Sequence, residues 1–243
     1  MTADGPPRIE PVAVAWVVFD VGETIVDETR MWHEWADVLG VPRFSMAAAV
    51  GAVIALGHDH REAFDFVAAG VDRRAVLARS GRPPPARIEP GDLYPDVRGA
   101  LAALRASGIR VGIVGNQPRA TEDALTSMDI EVDLLASSDG WSAAKPSSAF
   151  FGRLVAETGA PPADVAYVGD RLDNDVRPAL AAGLHAVLVR RGPWSRIQAA
   201  LSPIPEGTIV VDSLSELAVV LRPAAPRDSP GAASAPRGRG SRG

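Results

Sequence analysis

The second half of the chain alternates strand patterns with helix patterns, and this alternation limits the possible folds more than any other feature. Short runs rich in β-branched residues predict strands at residues 109–115, 133–137, 164–169, 184–190 and 208–211. Helical spacing of apolar residues predicts helices at residues 95–108, 119–128, 147–159, 174–183 and 213–221. Repeated strand–helix units predict an α/β fold, a Rossmann-like parallel sheet with helices on both faces.

The first part of the chain predicts one more strand and then an insertion. The apolar run VAVAWVVF, residues 12–19, is typical of a buried parallel strand. Residues 28–90 carry helical patterns, with Trp32 and Trp35 expected in their core, and consecutive prolines end them. The predicted organisation is a leader at 1–10, a core at 11–27 and 91–222, a helical insertion at 28–90 and a disordered tail at 223–243.

Composition excludes several classes of function. The chain has no cysteine, so disulfides, thiolate nucleophiles and cysteine-ligated metals are excluded. The net charge of −5, without a basic stripe, argues against nucleic-acid binding. The longest apolar segment, residues 46–56, is too short to cross a bilayer. We expect a cytoplasmic protein that binds a small-molecule substrate, and the sequence leaves its oligomeric state open.

Polar residues follow four of the predicted strands. Asp20 and Asp170 come directly after strands, Asn116 follows residues 109–115, and Lys145, the one lysine in the chain, follows the strand at 133–137. Ligands bind beyond the carboxyl ends of strands in such sheets. Carboxylates gathered there repel one another unless a cation such as Mg²⁺ intervenes. Aspartate can also act as a nucleophile in phosphoryl transfer.

Other polar residues have simpler explanations. Asp173 is interpreted as the N-cap of the next helix rather than as a ligand. His58 and His60 lack a third metal ligand nearby in the sequence, so we interpret them as a polar helix end.

Four motifs in order resemble those of the haloacid dehalogenase (HAD) superfamily of hydrolases. The matching segments are FDVGETIVD, IVGNQP, the KP of SAAKPSSAFF, and YVGDRLDNDV. The resemblance covers about residues 12–222. It implies that the insertion at 28–90 is a helical cap over the active site.

The resemblance also implies roles for individual residues. Asp20 resembles the nucleophile that forms a covalent aspartyl intermediate, and Lys145 the lysine that steadies it. The implied Mg²⁺ ligands are Asp20, the backbone carbonyl of Gly22, Asp170 and Asp175, the last orienting metal-bound water. The implied phosphate-binding positions are Gly115, Asn116 and Lys145.

Two positions depart from the pattern of the family's phosphatases. Gly22 stands where they usually carry a second Asp, which protonates the leaving group and then activates water. Glu23 is adjacent, but we expect its side chain to point elsewhere. Gly115 stands where the family usually places Ser or Thr to bind the phosphoryl group, so Asn116, Gln117 or a backbone N–H would replace that hydroxyl.

Three functions are compatible with these residues. The first is a Mg²⁺-dependent phosphatase of a small phosphorylated metabolite, with Trp32, His58, His60 and Arg61 as possible substrate contacts. The second is a hydrolase of non-phosphate substrates similar to the dehalogenases, which typically have Tyr at the position of Gly22. The third is a weakly catalytic binding or regulatory module. The phosphonate-cleaving branch needs a cap lysine, and residues 28–90 contain none.

Overall fold

The computed structural model describes residues 11–85 and 87–225, which form eight strands and eleven α-helices. The strands are β1 (Val12–Val14), β2 (Trp16–Phe19), β3 (Arg110–Gly115), β4 (Leu134–Ser137), β5 (Val165–Gly169), β6 (His185–Val189), β7 (Ile209–Val211) and β8 (Leu221–Pro223). The helices are α1 (Thr29–Leu39), α2 (Arg43–Leu56), α3 (Ala63–Ala68), α4 (Arg73–Ser80), α5 (Val97–Ala106), α6 (Ala120–Ser127), α7 (Ser138–Trp141), α8 (Ser148–Thr158), α9 (Arg177–Ala181), α10 (Gly192–Leu201) and α11 (Leu217–Val220).

The predicted parallel sheet is present, and β2 lies in its middle. Six strands run in the order β4–β3–β2–β5–β6–β7, and every neighbouring pair is parallel. Phe19, at the end of β2, lies opposite Ile113 of β3 and Val168 of β5. The carboxyl ends of these three strands therefore meet at one edge.

Alternating side chains of the sheet bury two apolar layers, one on each face. Val17 and Phe19 of β2 face the layer that contains α5 and α11, whereas Trp16 and Val18 face the layer of α8. Helices therefore cover both faces, as the strand–helix alternation predicts.

The first predicted strand is in fact two strands. The chain bends at Ala15, so that β1 pairs with β8 in a separate two-stranded sheet while β2 enters the main sheet. Pro223 therefore ends a strand, and Ala224 N–H donates to the Val14 carbonyl at 2.9 Å. The prediction that the tail begins at 223 is wrong at its start. The predicted leader, 1–10, and residues 226–243 lie outside the described part of the chain.

The insertion consists of α1 to α4 and packs against a helix that the sequence patterns missed. Trp32 and Trp35 contact Phe64 of α3, with ring centroids 5.7 and 5.2 Å apart, so both belong to the insertion's core. Val53 of α2 packs in a cluster with Trp194 of α10. Within the described residues no single helix is long and apolar enough to cross a membrane, and only α1 and α2 taken together, bent by 118°, meet that test.

Candidate active site

The predicted polar residues meet at the carboxyl edge of the sheet. Asp20 leaves β2, Asp170 leaves β5, and the Asp20 N–H still donates to the Val168 carbonyl at 2.8 Å. Lys145 arrives from the loop after α7. All three side chains are buried, although charged groups rarely are. Three buried charged side chains at one place are typical of a functional site rather than of the protein surface.

Three carboxylates form a tight cluster. Oxygen atoms of Asp20, Asp170 and Asp175 lie within 4.8 Å of one another. Burial, and then the charges of Asp175 and Asp20, raise the pKa of Asp170 well above its usual range. Burial raises the pKa of Asp175 to about 6, although Lys145 opposes the shift. Without a cation, the three carboxylates of the cluster repel one another.

The cluster has the donors that a hard divalent cation requires. Asp170 Oδ2 is fully buried and has no hydrogen-bond partner among the described residues. An unpaired buried carboxylate oxygen costs free energy unless a cation occupies the site. Carboxylate oxygens are the ligands that Mg²⁺ and Ca²⁺ prefer, so the residues fit such an ion.

The backbone after β5 explains how Asp175 reaches the cluster. Residues Leu172–Val176 form a π-helical turn that carries Asp175 back over Gly169. A Cβ at Gly169 would overlap the Asp175 side chain, so only glycine allows this approach. The Arg171 N–H donates to Asp175 Oδ2 at 3.0 Å. Asp173 pairs with the Arg171 guanidinium at 2.8 and 3.0 Å, so its prediction as a helix N-cap is wrong.

Lys145 bridges the cluster. Its Nζ lies 2.7 Å from Asp20 Oδ1 and 2.6 Å from Asp175 Oδ1. Burial lowers the Lys145 pKa, but the two carboxylates outweigh burial and hold that pKa well above its usual range. The lysine is therefore charged and offsets part of the cluster's negative charge.

Asn116 holds Lys145 in place. Its Nδ2 donates to the Lys145 carbonyl at 2.9 Å, and its Oδ1 accepts from the Lys145 N–H at 2.8 Å. Asn116 also lines the cavity above Asp20, with one N–H left to donate. Its predicted role in phosphate binding stays a prediction, and its observed contacts position the lysine.

Gly115 leaves room for Asp20. A Cβ at this position would lie 2.5 Å from Asp20 Oδ1 and 3.2 Å from Val21 Cγ2. A Ser or Thr here would require the Asp20 carboxylate or the neighbouring backbone to shift. Gly115 is therefore matched to this position of Asp20, and its predicted part in phosphate binding stays a prediction.

Glu28 is the site residue that the sequence patterns missed. Its carboxyl lies where a side chain at Gly22 would be, because a Cβ built on Gly22 would overlap Glu28 Oε1. Burial, and then the charges of Glu23 and Asp20, raise the Glu28 pKa to about 8. The only sequence signal for this residue is the departure at Gly22, which shows that space is free without showing what fills it.

Glu23 points away from Asp20, as expected. Its Oε2 accepts from the Tyr94 hydroxyl at 2.7 Å, and its Oε1 accepts from the Glu28 N–H at 3.0 Å. Glu23 has a φ of 52°, in the left-handed region that non-glycine residues rarely adopt. This turn directs the chain so that residue 28 comes back over Gly22.

A cavity of about 570 Å³ opens above Asp20, between the sheet edge and the insertion. Its walls include the predicted substrate contacts His58, His60 and Arg61, together with Arg171. Arg171 stacks on Trp194 with its guanidinium carbon 3.6 Å from the ring centre. Burial lowers the His60 pKa, so that histidine is neutral near pH 7.

The histidines form a polar helix end. Asp59 caps the short turn His60–Glu62, and His58 Nδ1 lies 3.0 Å from Glu62 Oε2. Among the described residues the cluster of Asp20, Asp170 and Asp175 is the one set of metal-ligating groups, and it contains no histidine. The interpretation of His58 and His60 as a polar helix end is confirmed.

Comparison with known proteins identifies relatives of this chain. Residues 142–217, which include Lys145, Asp170 and Asp175, match the family model described as HAD-hydrolase-like. A glyceraldehyde 3-phosphate phosphatase of Methanopyrus kandleri is 32% identical over 108 residues, 43% of this chain and 46% of that protein. A plasmid-encoded phosphoglycolate phosphatase of Cupriavidus necator is 34% identical over 140 residues, 55% of this chain and 58% of that protein. The chain spans about half the length of the curated relatives it matches.

Solved structures share the fold. A HAD-hydrolase from Bacillus subtilis, bound to magnesium, aligns over 86% of this chain and 99% of its own, with a TM-score of 0.61 and 17% sequence identity. At this level of identity the likeness concerns the fold alone.

Proposed function

Because the chain belongs to the haloacid dehalogenase-like hydrolase superfamily, we propose that it is a Mg²⁺-dependent phosphatase of a small phosphorylated metabolite, with Asp20 as the nucleophile. One observation carries this proposal. Asp20 Oδ1 lies 2.7 Å from the buried Lys145 ammonium at the floor of a cavity, beside the unpartnered Asp170 Oδ2. Two relatives whose names specify phosphatases support the choice of phosphate esters over other substrates.

Asp20 and Lys145 divide the chemistry between them. The Asp20 carboxylate would attack the phosphorus atom, and the bond to the leaving oxygen would break, which leaves an aspartyl phosphate. The Lys145 ammonium holds Asp20 in position, and it would stabilise the negative charge on the transferring group. Water then hydrolyses the aspartyl phosphate and regenerates Asp20.

The residues that would hold Mg²⁺ are Asp20, Asp170 and the carbonyl of Gly22. Both Asp175 oxygens already accept hydrogen bonds, from Lys145 and the Arg171 N–H, so Asp175 suits the orientation of a metal-bound water. The ion, when bound, supplies positive charge that neutralises the phosphoryl oxygens.

The helical insertion would act as the cap that selects the substrate. It supplies His58, His60 and Arg61 to the wall of the cavity that Asp20 and Asp170 also line. Arg61 has an exposed side chain, and its Nε lies 3.9 Å from Asp59 Oδ1. Arg61 and Arg171 favour a substrate with negative charge in addition to its phosphate.

Release of inorganic phosphate from a panel of substrates tests this proposal. The panel contains alkyl and aryl phosphate esters, acyl phosphates and 2-haloacids, each with Mg²⁺ and with a chelator. The Asp20→Asn variant keeps the shape of the side chain and removes the nucleophilic charge. We expect phosphate release that needs Mg²⁺ and falls by at least about 10³-fold in Asp20→Asn, because the nucleophile acts together with the rest of the site.

Each other result points to a different function. Halide release from a 2-haloacid without phosphate release would favour a dehalogenase. Mg²⁺ binding without turnover on any substrate would favour a binding module. Full phosphate release in Asp20→Asn would contradict the assignment of the nucleophile.

A further inference from the structure

A phosphatase needs a proton donor for the leaving oxygen. Most acidic side chains in and beside the cavity already form ion pairs or hydrogen bonds with other residues. An alkoxide leaves slowly unless it receives a proton as the ester bond breaks. Asp20 and Asp175 are held by Lys145, Asp173 pairs with Arg171, and Glu23 accepts from Tyr94. Asp170 belongs to the carboxylate cluster.

Glu28 has no such ion pair, although its carboxyl accepts a side-chain hydrogen bond from Trp32. Among residues 11–85 and 87–225, no arginine, lysine or histidine lies within 4.0 Å of its carboxylate. Glu28 is also outside the group of carboxylates whose oxygen atoms lie within 4.8 Å of one another. Its carboxyl is therefore not committed to an ion pair or to the candidate metal site.

The carboxyl nevertheless lies against Gly22, in the cavity that also exposes the nucleophile. Gly22 is two residues after Asp20, and the space that a side chain at Gly22 would fill is taken by Glu28 Oε1 and Cδ. Glu28 lines the same cavity as Asp20, Asn116 and Lys145. A substrate phosphate seated on Asp20 would therefore present its leaving oxygen to a cavity that contains this carboxyl.

The position of Glu28 is held by its neighbours along the chain. Its N–H donates to Glu23 Oε1 at 3.0 Å, and its carbonyl accepts from the Trp32 N–H at 3.1 Å, which begins α1. Glu23 is itself held by the Tyr94 hydroxyl. These contacts fix the backbone of Glu28, so its side chain reaches the cavity from a rigid support.

We propose that Glu28, acting over Gly22, is the residue that gives a proton to the leaving oxygen and later takes one from water. This inference rests on the proposed phosphatase function. In the first step the Asp20 oxygen bonds to phosphorus, the bond from phosphorus to the leaving oxygen breaks, and that oxygen takes the Glu28 proton. In the second step water attacks the phosphorus and gives a proton to the Glu28 carboxylate, and the bond to Asp20 breaks. Inorganic phosphate leaves, and both carboxyl groups return to their starting forms.

The dependence of rate on the leaving group tests this role. The Glu28→Gln variant keeps the size of the side chain and cannot transfer the proton. We expect kcat/KM for alkyl phosphates to fall by about 10²–10⁴-fold, because their leaving oxygens need a proton. For 4-nitrophenyl phosphate, whose leaving group, 4-nitrophenolate, is a stable anion without a proton, the loss should be less than about tenfold. Asp65→Asn, which removes an exposed acid of α3, is the matched control and should change neither rate.

A second set of variants moves the carboxyl from position 28 to position 22. This set tests the role of Glu28 even if Glu28→Gln is poorly folded. In Glu28→Ala the space over Gly22 is empty, and adding Gly22→Asp places a carboxyl there from the other side. We expect the double variant to hydrolyse alkyl phosphates at least about tenfold faster than Glu28→Ala alone, with melting temperatures recorded for both.

Two results would overturn the inference, and they are distinguishable. Equal losses for alkyl and 4-nitrophenyl phosphates, without recovery in the double variant, would show that Glu28 only supports the structure of an active phosphatase. If the unaltered protein releases no phosphate from any ester, the proposed function fails, and the role of Glu28 fails with it.

Discussion

Glycines at the carboxyl edge of the sheet let carboxylates approach closer than a Cβ would allow. Gly22 admits Glu28, and Gly115 admits Asp20, which lies 2.5 Å from the position of a Cβ there. Two apparent losses in the sequence are thus sites of close packing in the structure. A glycine in place of a functional side chain does not by itself indicate lost chemistry.

The surroundings of Lys145 explain why this position carries a lysine, although every other basic Lys or Arg position in the chain is arginine. Its side chain is fully enclosed between Asp20, Asp175 and the Tyr167 ring, whose centre is 5.4 Å from Nζ. An ammonium fits between two carboxylate oxygens, whereas a guanidinium is larger and planar.

The Lys145→Arg variant tests this fit. We expect it to lower the free energy of unfolding by about 1–3 kcal/mol, because the larger group overpacks a closed site. Urea denaturation of the metal-free protein measures the change. Arg153→Lys, which alters an exposed residue of α8 paired with Glu157, should change stability by less than about 0.5 kcal/mol. Equal effects in the two variants would contradict this explanation.

At the scale of elements, the start of α1 is tied to the segment that follows the insertion. Arg30 Nε and Nη2 donate to Asp92 at 2.7 and 2.5 Å, and Nη2 also donates to the Arg87 carbonyl at 2.6 Å. Glu34 bridges the Arg30 and Arg87 guanidinium groups at 2.9 and 3.0 Å. These contacts join the two ends of the insertion at its base.

Removing this tie should loosen the insertion while leaving the sheet intact. We expect Arg30→Ala to speed amide hydrogen exchange in α1 to α4 by at least about tenfold, since hydrogen bonds to charged groups contribute about 1.5–3 kcal/mol each. Exchange in β2, β3 and β5 should not change. Arg74→Ala, on the exposed side of α4, is the control. Faster exchange throughout the sheet would show global destabilisation instead of local opening.

At the scale of the whole molecule, the candidate metal site joins parts of the chain that are far apart in sequence. Asp20 follows β2, Asp170 follows β5, and their carboxylates lie within one cluster with Asp175. Without a cation, folding forces these like charges together. Metal binding and folding should therefore be coupled.

Calorimetry with and without Mg²⁺ tests this coupling. We expect Mg²⁺ to raise the melting temperature of the unaltered protein in proportion to the logarithm of its concentration. Asp170→Asn should stabilise the metal-free protein, by on the order of 1–3 kcal/mol at an effective dielectric constant of about 20, and should abolish the Mg²⁺ effect. Asp173→Asn, outside the cluster and paired with Arg171, should keep it. A Mg²⁺ shift that survives in Asp170→Asn would contradict the ligand assignment.

Local patterns were enough to predict most of the fold. The parallel sheet, its helices on both faces and the placement of Asp20, Lys145 and Asp170 at one edge all follow from periodicity and strand ends. Residues that follow the strands can be predicted to meet, because parallel strands bring their carboxyl ends to the same edge of the sheet, whatever the detailed packing. The single apolar run at 12–19 hid a bend at Ala15, since periodicity does not show that β1 leaves for β8.

The sequence by itself determined most of the element types, their order and the carboxylates at the sheet edge, because each depends on residues close together in the chain. Tertiary structure alone decided what fills the space at Gly22, how the insertion rests on α10, and that Asn116 holds Lys145. Those outcomes depend on which distant atoms come within contact distance once the core is packed. No local pattern shows that Asp20 Oδ1 lies only 2.5 Å from the position of a Cβ on Gly115. Nor does any local pattern show that the chain folds back to place Glu28 against Gly22.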